Sequence, residues 1–276
     1  MMGMFFWQFI LGLFVGSFLN VVILRFGTGL PITSGRSKCF SCNTTLKWFE
    51  LVPIFSYLFL GGKCRTCFSK ISIQYFLVEL TTGLLFAGVM YLYTVGKIVD
   101  PLLFFLYIAI GCIFIVITVY DLHHKIIPDT FVFLFVICAM FVGLFNFFEI
   151  EYLNNTVKII NLLAGFIFFI PFYGLWKYSE GRWIGLGDGK LAIGVGFLLG
   201  LPEGLSAIVL SFWLGSIWAL FFILYQKVVQ HFSLSPGGEN LTMKSEVPFA
   251  PFMLLATVIV LVFPIDLFSL HVLFGL

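Results

Sequence analysis

Two aspartates and two pairs of cysteines are the residues of this chain whose types and spacing could do chemistry. Asp121 stands in Tyr120-Asp-Leu-His-His-Lys-Ile-Ile-Pro-Asp129 and Asp188 in Gly185-Leu-Gly-Asp-Gly-Lys190, each at the polar edge of a long apolar run. Carboxyl groups at such positions are costly and tend to serve function. Two that face each other cannot both ionise, so they share a proton. One then acts as general base on a water while the other, protonated, polarises a carbonyl. That is the chemistry of aspartic peptidases, and the two roles belong to the pair rather than to either residue. Gly185, Gly187 and Gly189 would let an extended substrate backbone come close. Pro128 keeps the turn after Asp121 irregular. A structural reading stands beside this one: Asp121 with Lys125 as an i,i+4 ion pair, and Asp188 with Lys190 as an interfacial charge cluster.

Cys39-Phe-Ser-Cys42 and Cys64-Arg-Thr-Cys67 are two CxxC pairs of the kind that hold a tetrahedral ion, usually Zn²⁺. Four thiolates leave no open coordination position, so the expected role is structural. A module of this size has too little core to hold itself together without such a staple. Two disulfides or a redox pair are the alternatives, disfavoured if the module lies in a reducing compartment. Cys112 and Cys138 lie within apolar runs and read as packing residues.

The elements that must position these groups are membrane spans. Residues of the AVILMFWYC set make up 61% of the 276, charged residues 10%, and Phe alone occurs 37 times. So little charge cannot cover a soluble surface, and the fold class expected is an all-α polytopic membrane protein. A net charge of +2 gives no reason to expect nucleic-acid binding. Apolar stretches at Met4–Leu24, Ile73–Tyr93, Leu102–Tyr120, Ile126–Phe148, Ile159–Trp176, Ile184–Leu201, Leu205–Tyr225 and Val247–Phe263 predict about eight helices. With eight, every Lys and Arg except Lys97 and Lys158 falls on one side, which the positive-inside rule makes the cytosol. The segment between the first two spans, basic apart from Glu50, is then cytosolic, and both aspartates reach that same face. Ser235–Gly238 marks a loop before the last span. Met4–Leu24 has no basic leader and reads as a span, not a cleavable signal. The expected organisation is a first helix over 1–24, a cysteine module over 25–72 and a helical domain over 73–276.

Taken in order, these residues resemble the type IV prepilin peptidase family of GxGD-type membrane aspartyl proteases. Gly16-Ser-Phe-Leu-Asn-Val-Val-Ile-Leu-Arg25 is similar to the family's N-terminal signature, and Arg36 to Cys67 to its tetracysteine domain, Leu51-Val-Pro53 and Gly62 included. Tyr75-Phe-Leu-Val-Glu-Leu80 matches the segment entering the second span. Lys244 and Pro248-Phe-Ala-Pro251 resemble the C-terminal signature. The resemblance implies cleavage of a short basic leader from prepilins and pseudopilins at the cytosolic face of the bacterial inner membrane. It also implies N-methylation of the new terminus with S-adenosylmethionine as methyl donor. Carried over by position, Asp121 and Asp188 are the catalytic pair, Cys39, Cys42, Cys64 and Cys67 the zinc ligands, and Asp129 and Lys190 supporting groups. Glu79 is a candidate contact for the substrate's cationic terminus, or a partner for Arg25 or Lys70. Phe68, where a knuckle turn commonly has Gly, is the one departure. No glycine-rich nucleotide-binding turn is present. Peptidase activity alone, or a proton-coupled transporter using the same acids, are the competing functions. Membrane lipid is an expected partner, and the oligomeric state is left open.

Overall fold

The computed structural model describes residues 2–149, 155–231 and 248–269. Among them are eight α-helices and no strand, only two isolated antiparallel bridges. Six helices are long and apolar enough to cross a membrane. The chain is a multi-pass membrane protein.

It divides into two compact units, Met1–Val119 and Tyr120–Leu276. The first holds α1 (Met2–Arg25), a short 3-10 turn (Trp48–Leu51), α2 (Phe55–Phe59), α3 (Gln74–Thr94) and most of α4 (Pro101–His124). Helices α1 and α3 pack as a close pair, and the reason is legible in α1. Its Trp7, Leu11, Phe14 and Phe18 are exposed at helical spacing, the lipid-facing stripe. The opposite side carries Gly12, Gly16, Leu19 and Ile23. A methyl group at Gly12 would lie 2.7 Å from the Thr82 carbonyl oxygen, and one at Gly16 2.7 Å from the Glu79 Cα. Gly12 and Gly16 are thus a small-xxx-small seam, the means by which spans associate in lipid, where apolar surface alone gives no drive.

The second unit holds the end of α4, α5 (Asp129–Glu149), α6 (Asn155–Ser179), α7 (Leu186–His231) and α8 (Ala250–Val262). As one straight rod the 46 residues of α7 would measure about 69 Å, more than twice the ~30 Å hydrocarbon core. The helix is broken at Gly200, where φ is 76° and ψ −170°. Both arms run back along α6. A methyl at Gly189 would touch Phe172 at 3.1 Å, and the Phe212 ring on the other arm stacks on that same Phe172 at 6.5 Å. At the turn, Asn161 Oδ1 of α6 accepts the Leu201 N–H at 3.1 Å. The two spans expected over Ile184–Leu201 and Leu205–Tyr225 are therefore the arms of one helical hairpin. The last expected span is shorter than predicted, the 13 residues of α8. The loop expected at Ser235–Gly238 lies outside the described residues, as does Lys244.

Candidate active site and metal centre

Asp121 sits in the last turn of α4. Its carbonyl accepts the Lys125 N–H at 2.8 Å, and Lys125, with φ 52°, ends the helix there. Asp188 sits in the first turn of α7, its carboxyl accepting the Gly185 N–H as the returning half of a capping box. Both acids are buried, at 4% and 8% exposure. They lie 67 positions apart in sequence yet belong to the same unit, with Asp188 within reach of the Asp121 charge.

A further group, which the residue types alone gave no means of finding, shapes this pair. The N–H of Ala250, the first residue of α8, donates to the Asp121 carboxyl. The free N–H groups of a helix start favour a carboxylate. Pro251, at the second helical position, fixes where α8 begins, so the Pro248-Phe-Ala-Pro251 signature has a physical role: it presents this donor. The other oxygen, Oδ2, is buried with no hydrogen-bond partner among the described residues. An unsatisfied carboxyl oxygen in such a place costs on the order of 1–3 kcal/mol or more, a cost that function can explain.

The surrounding residues divide by role. Lys190 Nζ meets Asp129 Oδ1 at 2.6 Å, so its ammonium is directed to the first residue of α5 rather than to Asp188. Of the three glycines, Gly185 is open, its nearest neighbour being the Asp188 carboxyl. Gly187 and Gly189 are filled from the side: a methyl at the first would press on Ile127 at 3.0 Å and at the second on Phe172 at 3.1 Å. Those two glycines let α7 pack closely beside its neighbours.

In the first unit, the four cysteine sulfurs all lie within 4.8 Å of one another, the one cluster suited to a metal among the described residues. Cys39 Sγ and Cys67 Sγ are 3.8 Å apart, about the edge of a tetrahedron with metal–sulfur bonds of roughly 2.3 Å. The two CxxC turns repeat one geometry. Cys39 N–H donates to Thr44 O at 3.0 Å and Cys64 N–H to Ser69 O at 2.9 Å, and each turn closes on a left-handed residue, Asn43 (φ 56°) and Phe68 (φ 59°). Phe68 adopts the backbone that Gly would adopt more easily. The N–H groups of Cys42 and Ser41, with the Ser69 hydroxyl, hold the Cys39 thiol down to about 6. The Ser69 hydroxyl and N–H likewise lower Cys67. The Cys67 and Thr66 amides pull Cys64 down, but burial and the adjoining Cys39 and Cys67 sulfurs outweigh them and raise it. Free thiols in this arrangement fit one tetrahedral metal ion.

Glu79 is buried in the same unit. Its Oε2 accepts the Ile54 N–H at 2.7 Å, and Ser17 on α1 also hydrogen-bonds the carboxylate. Arg25, weighed as its partner, instead donates to the carbonyls of Pro31 and Ser34, both at 2.7 Å.

Comparison with known proteins points to one family. Residues 10–93 match the Bacterial Peptidase A24 N-terminal domain and residues 108–220 the Type IV leader peptidase family. Relatives that carry the name prepilin leader peptidase/N-methyltransferase include the following. One from Bacillus subtilis (strain 168) is 27% identical over 96% of both chains. One from Klebsiella pneumoniae is 30% identical over 71% of this chain and 87% of its own. One from Myxococcus xanthus (strain DK1622) is 31% identical over 78% of this chain, which spans 62% of that longer protein. No solved structure matches. The chain belongs to the type IV prepilin peptidase family.

Proposed function

We propose that this protein is a prepilin leader peptidase and N-methyltransferase of the bacterial inner membrane, acting at the cytosolic face. The observation that supports the peptidase half is that two buried carboxyls, Asp121 and Asp188, belong to one helical unit, Asp188 within reach of the Asp121 charge, with one Asp121 oxygen left unpartnered among the described residues. Between them the pair holds one proton. The ionised carboxyl takes a proton from a water as its oxygen attacks the scissile carbonyl carbon, and the protonated one donates to the carbonyl oxygen. Collapse of the tetrahedral species breaks the C–N bond, and the departing amine takes a proton from the dyad. The Ala250 N–H holds the Asp121 carboxyl in place throughout. Gly185 leaves room for the substrate strand beside Asp188, while Asp129 and Lys190 tie α5 to α7.

The amine so released is the N-terminus of the mature pilin or pseudopilin, and the relatives' name supports its methylation by this chain. S-adenosylmethionine is the methyl donor proposed. The four cysteines would hold a structural Zn²⁺, keeping the module between α1 and α3 folded. Glu79, which fastens a turn of that module, is read as an anchor rather than as a contact to the substrate's terminus. Neither a transporter nor a peptidase without methylation gains support from the relatives. The test is coexpression with a prepilin and intact-mass analysis of the product. Leader loss plus about 14 Da is expected from the wild type, and an unprocessed prepilin from wild-type cells would overturn the reading.

A further inference from the structure

Neither the catalytic chemistry nor the metal accounts for the segment between the two cysteine pairs. Trp48 is 80% exposed and Phe59 87%, and Phe55, Leu58 and Phe59 fall at i, i+3 and i+4 on one face of α2, all of them exposed. Beside them opens a cavity of about 370 Å³, lined chiefly by Phe49, Val52, Phe55 and Phe59, with Glu50 and Arg65 also on its wall. In water, so many aromatic and aliphatic side chains on one short segment would be an unstable surface.

The depth at which this segment is fastened resolves the difficulty. Ile54, in the turn between the 3-10 turn and α2, gives its N–H to Glu79 at 2.7 Å, and the Tyr57 ring lies 5.7 Å from that of Phe76. Glu79 is five residues past the first residue of α3, about 7.5 Å along the axis. It is level with Gly16, nine residues before the end of α1, or about 13 Å inside. Glu79 therefore lies inside the ends of two spans, and the Ile54 amide, one side chain's reach from it, lies beside the first turns of α3 at the membrane boundary. The chain entering and leaving that turn must run through the headgroup region. Its composition suits that place: aromatics of the kind enriched at membrane interfaces, flanked by Lys47, Lys63 and Arg65 against Glu50 alone.

We propose that Trp48–Leu60 is an interfacial membrane anchor. Its apolar side chains lie among the acyl chains of the leaflet in which α3 begins, and Lys47 and Arg65 face anionic headgroups. The anchor fixes the depth of the metal module, which hangs from it through Gly62. A methyl at Gly62 would meet the Tyr57 hydroxyl at 2.9 Å.

The test uses the full chain in nanodiscs containing phosphatidylglycerol, with p-benzoylphenylalanine placed at position 59, at 55, or at 68. Position 68 serves as an equally aromatic, exposed reference on the second cysteine turn. Zinc content and prepilin cleavage equal to wild type establish that each labelled protein is folded. Photolysis should yield phospholipid adducts at 59 and 55 at about tenfold the level at 68, falling when phosphatidylglycerol is replaced by phosphatidylcholine. Equal lipid adducts at all three positions would overturn the proposal. So would adducts at 59 and 55 formed chiefly with added prepilin, which would make the surface a substrate dock instead.

Discussion

Lys190 Nζ lies 2.6 Å from Asp129 Oδ1, joining the fifth residue of α7, two positions past Asp188, to the first residue of α5. Both side chains are partly or largely exposed, so the pair contributes less than about 1 kcal/mol to stability. Its value is geometric. Lys190→Met should leave zinc content and helicity unchanged while lowering kcat for leader cleavage by up to about tenfold. Asp129→Asn should do the same, and the double variant should lose no more than either alone. Additive losses in that cycle would mean that the two residues act separately.

The dyad itself makes the largest demand. Asp121→Asn and Asp188→Asn keep the volume of each side chain, so folding should survive, as judged by helicity and one equivalent of zinc. Cleavage should fall by roughly 10³-fold or more in each, and combining the two should cost little further, since the residues work as a unit. A variant retaining even a tenth of wild-type cleavage would remove its aspartate from the mechanism.

Metal analysis of the purified chain should give about one Zn per molecule. Cys39→Ser removes one of four ligands and should lower that occupancy, loosening the module between α1 and α3 without melting the spans. Limited proteolysis across residues 36–70 of the variant should be faster than in wild type, with the membrane helices intact. Full zinc occupancy in the Cys39→Ser protein would place the metal elsewhere.

Glu79 tests whether the module is fastened at that point. Glu79→Gln keeps an oxygen to accept the Ile54 N–H and should behave nearly as wild type. Glu79→Leu leaves that half-buried amide without its partner at a cost of about 1 kcal/mol, and should speed hydrogen exchange at Ile54 and through α2. If instead Glu79→Gln abolishes methylation with cleavage intact, the carboxylate charge serves the substrate and not the fold.

How much of this was legible beforehand follows from the kind of information each feature needs. Spans are written in side-chain hydropathy, and the metal site in the spacing of four cysteines, so both could be read directly. That Asp121 and Asp188 would reach one face was expected from counting crossings, and both lie in one helical unit. What escaped was carried by backbone or by pairing between distant elements. The Ala250 N–H has no side-chain signature beyond the prolines that set its helix start. The residue types also give no hint that Ile127 and Phe172 stand where a methyl at Gly187 or Gly189 would sit. Lys190 lies near Asp188 in sequence, but its partner is Asp129, 61 residues away.

The turn at Gly200 is the clearest case of a hidden determinant. An apolar run continues through it, yet the chain reverses there on a backbone conformation, φ 76° and ψ −170°, open essentially to glycine alone. A side chain would also press on Asn161, whose Cγ lies 3.0 Å from where a methyl would sit and whose Oδ1 holds the Leu201 N–H. Gly200→Ala therefore combines backbone strain of about 1–3 kcal/mol with displacement of that cap. In detergent its thermal unfolding midpoint should fall by about 3–10 °C. Asn161→Ala, which loses the cap but not the turn, should fall by less. Because the turn lies at the far end of the arm that begins beside Asp188, twelve residues on or about 18 Å of helix, the Gly200→Ala protein that remains folded should cleave prepilin at close to the wild-type rate. An unchanged midpoint would mean that the two arms of α7 reverse without needing glycine, and that the hairpin is held by its packing on α6 alone.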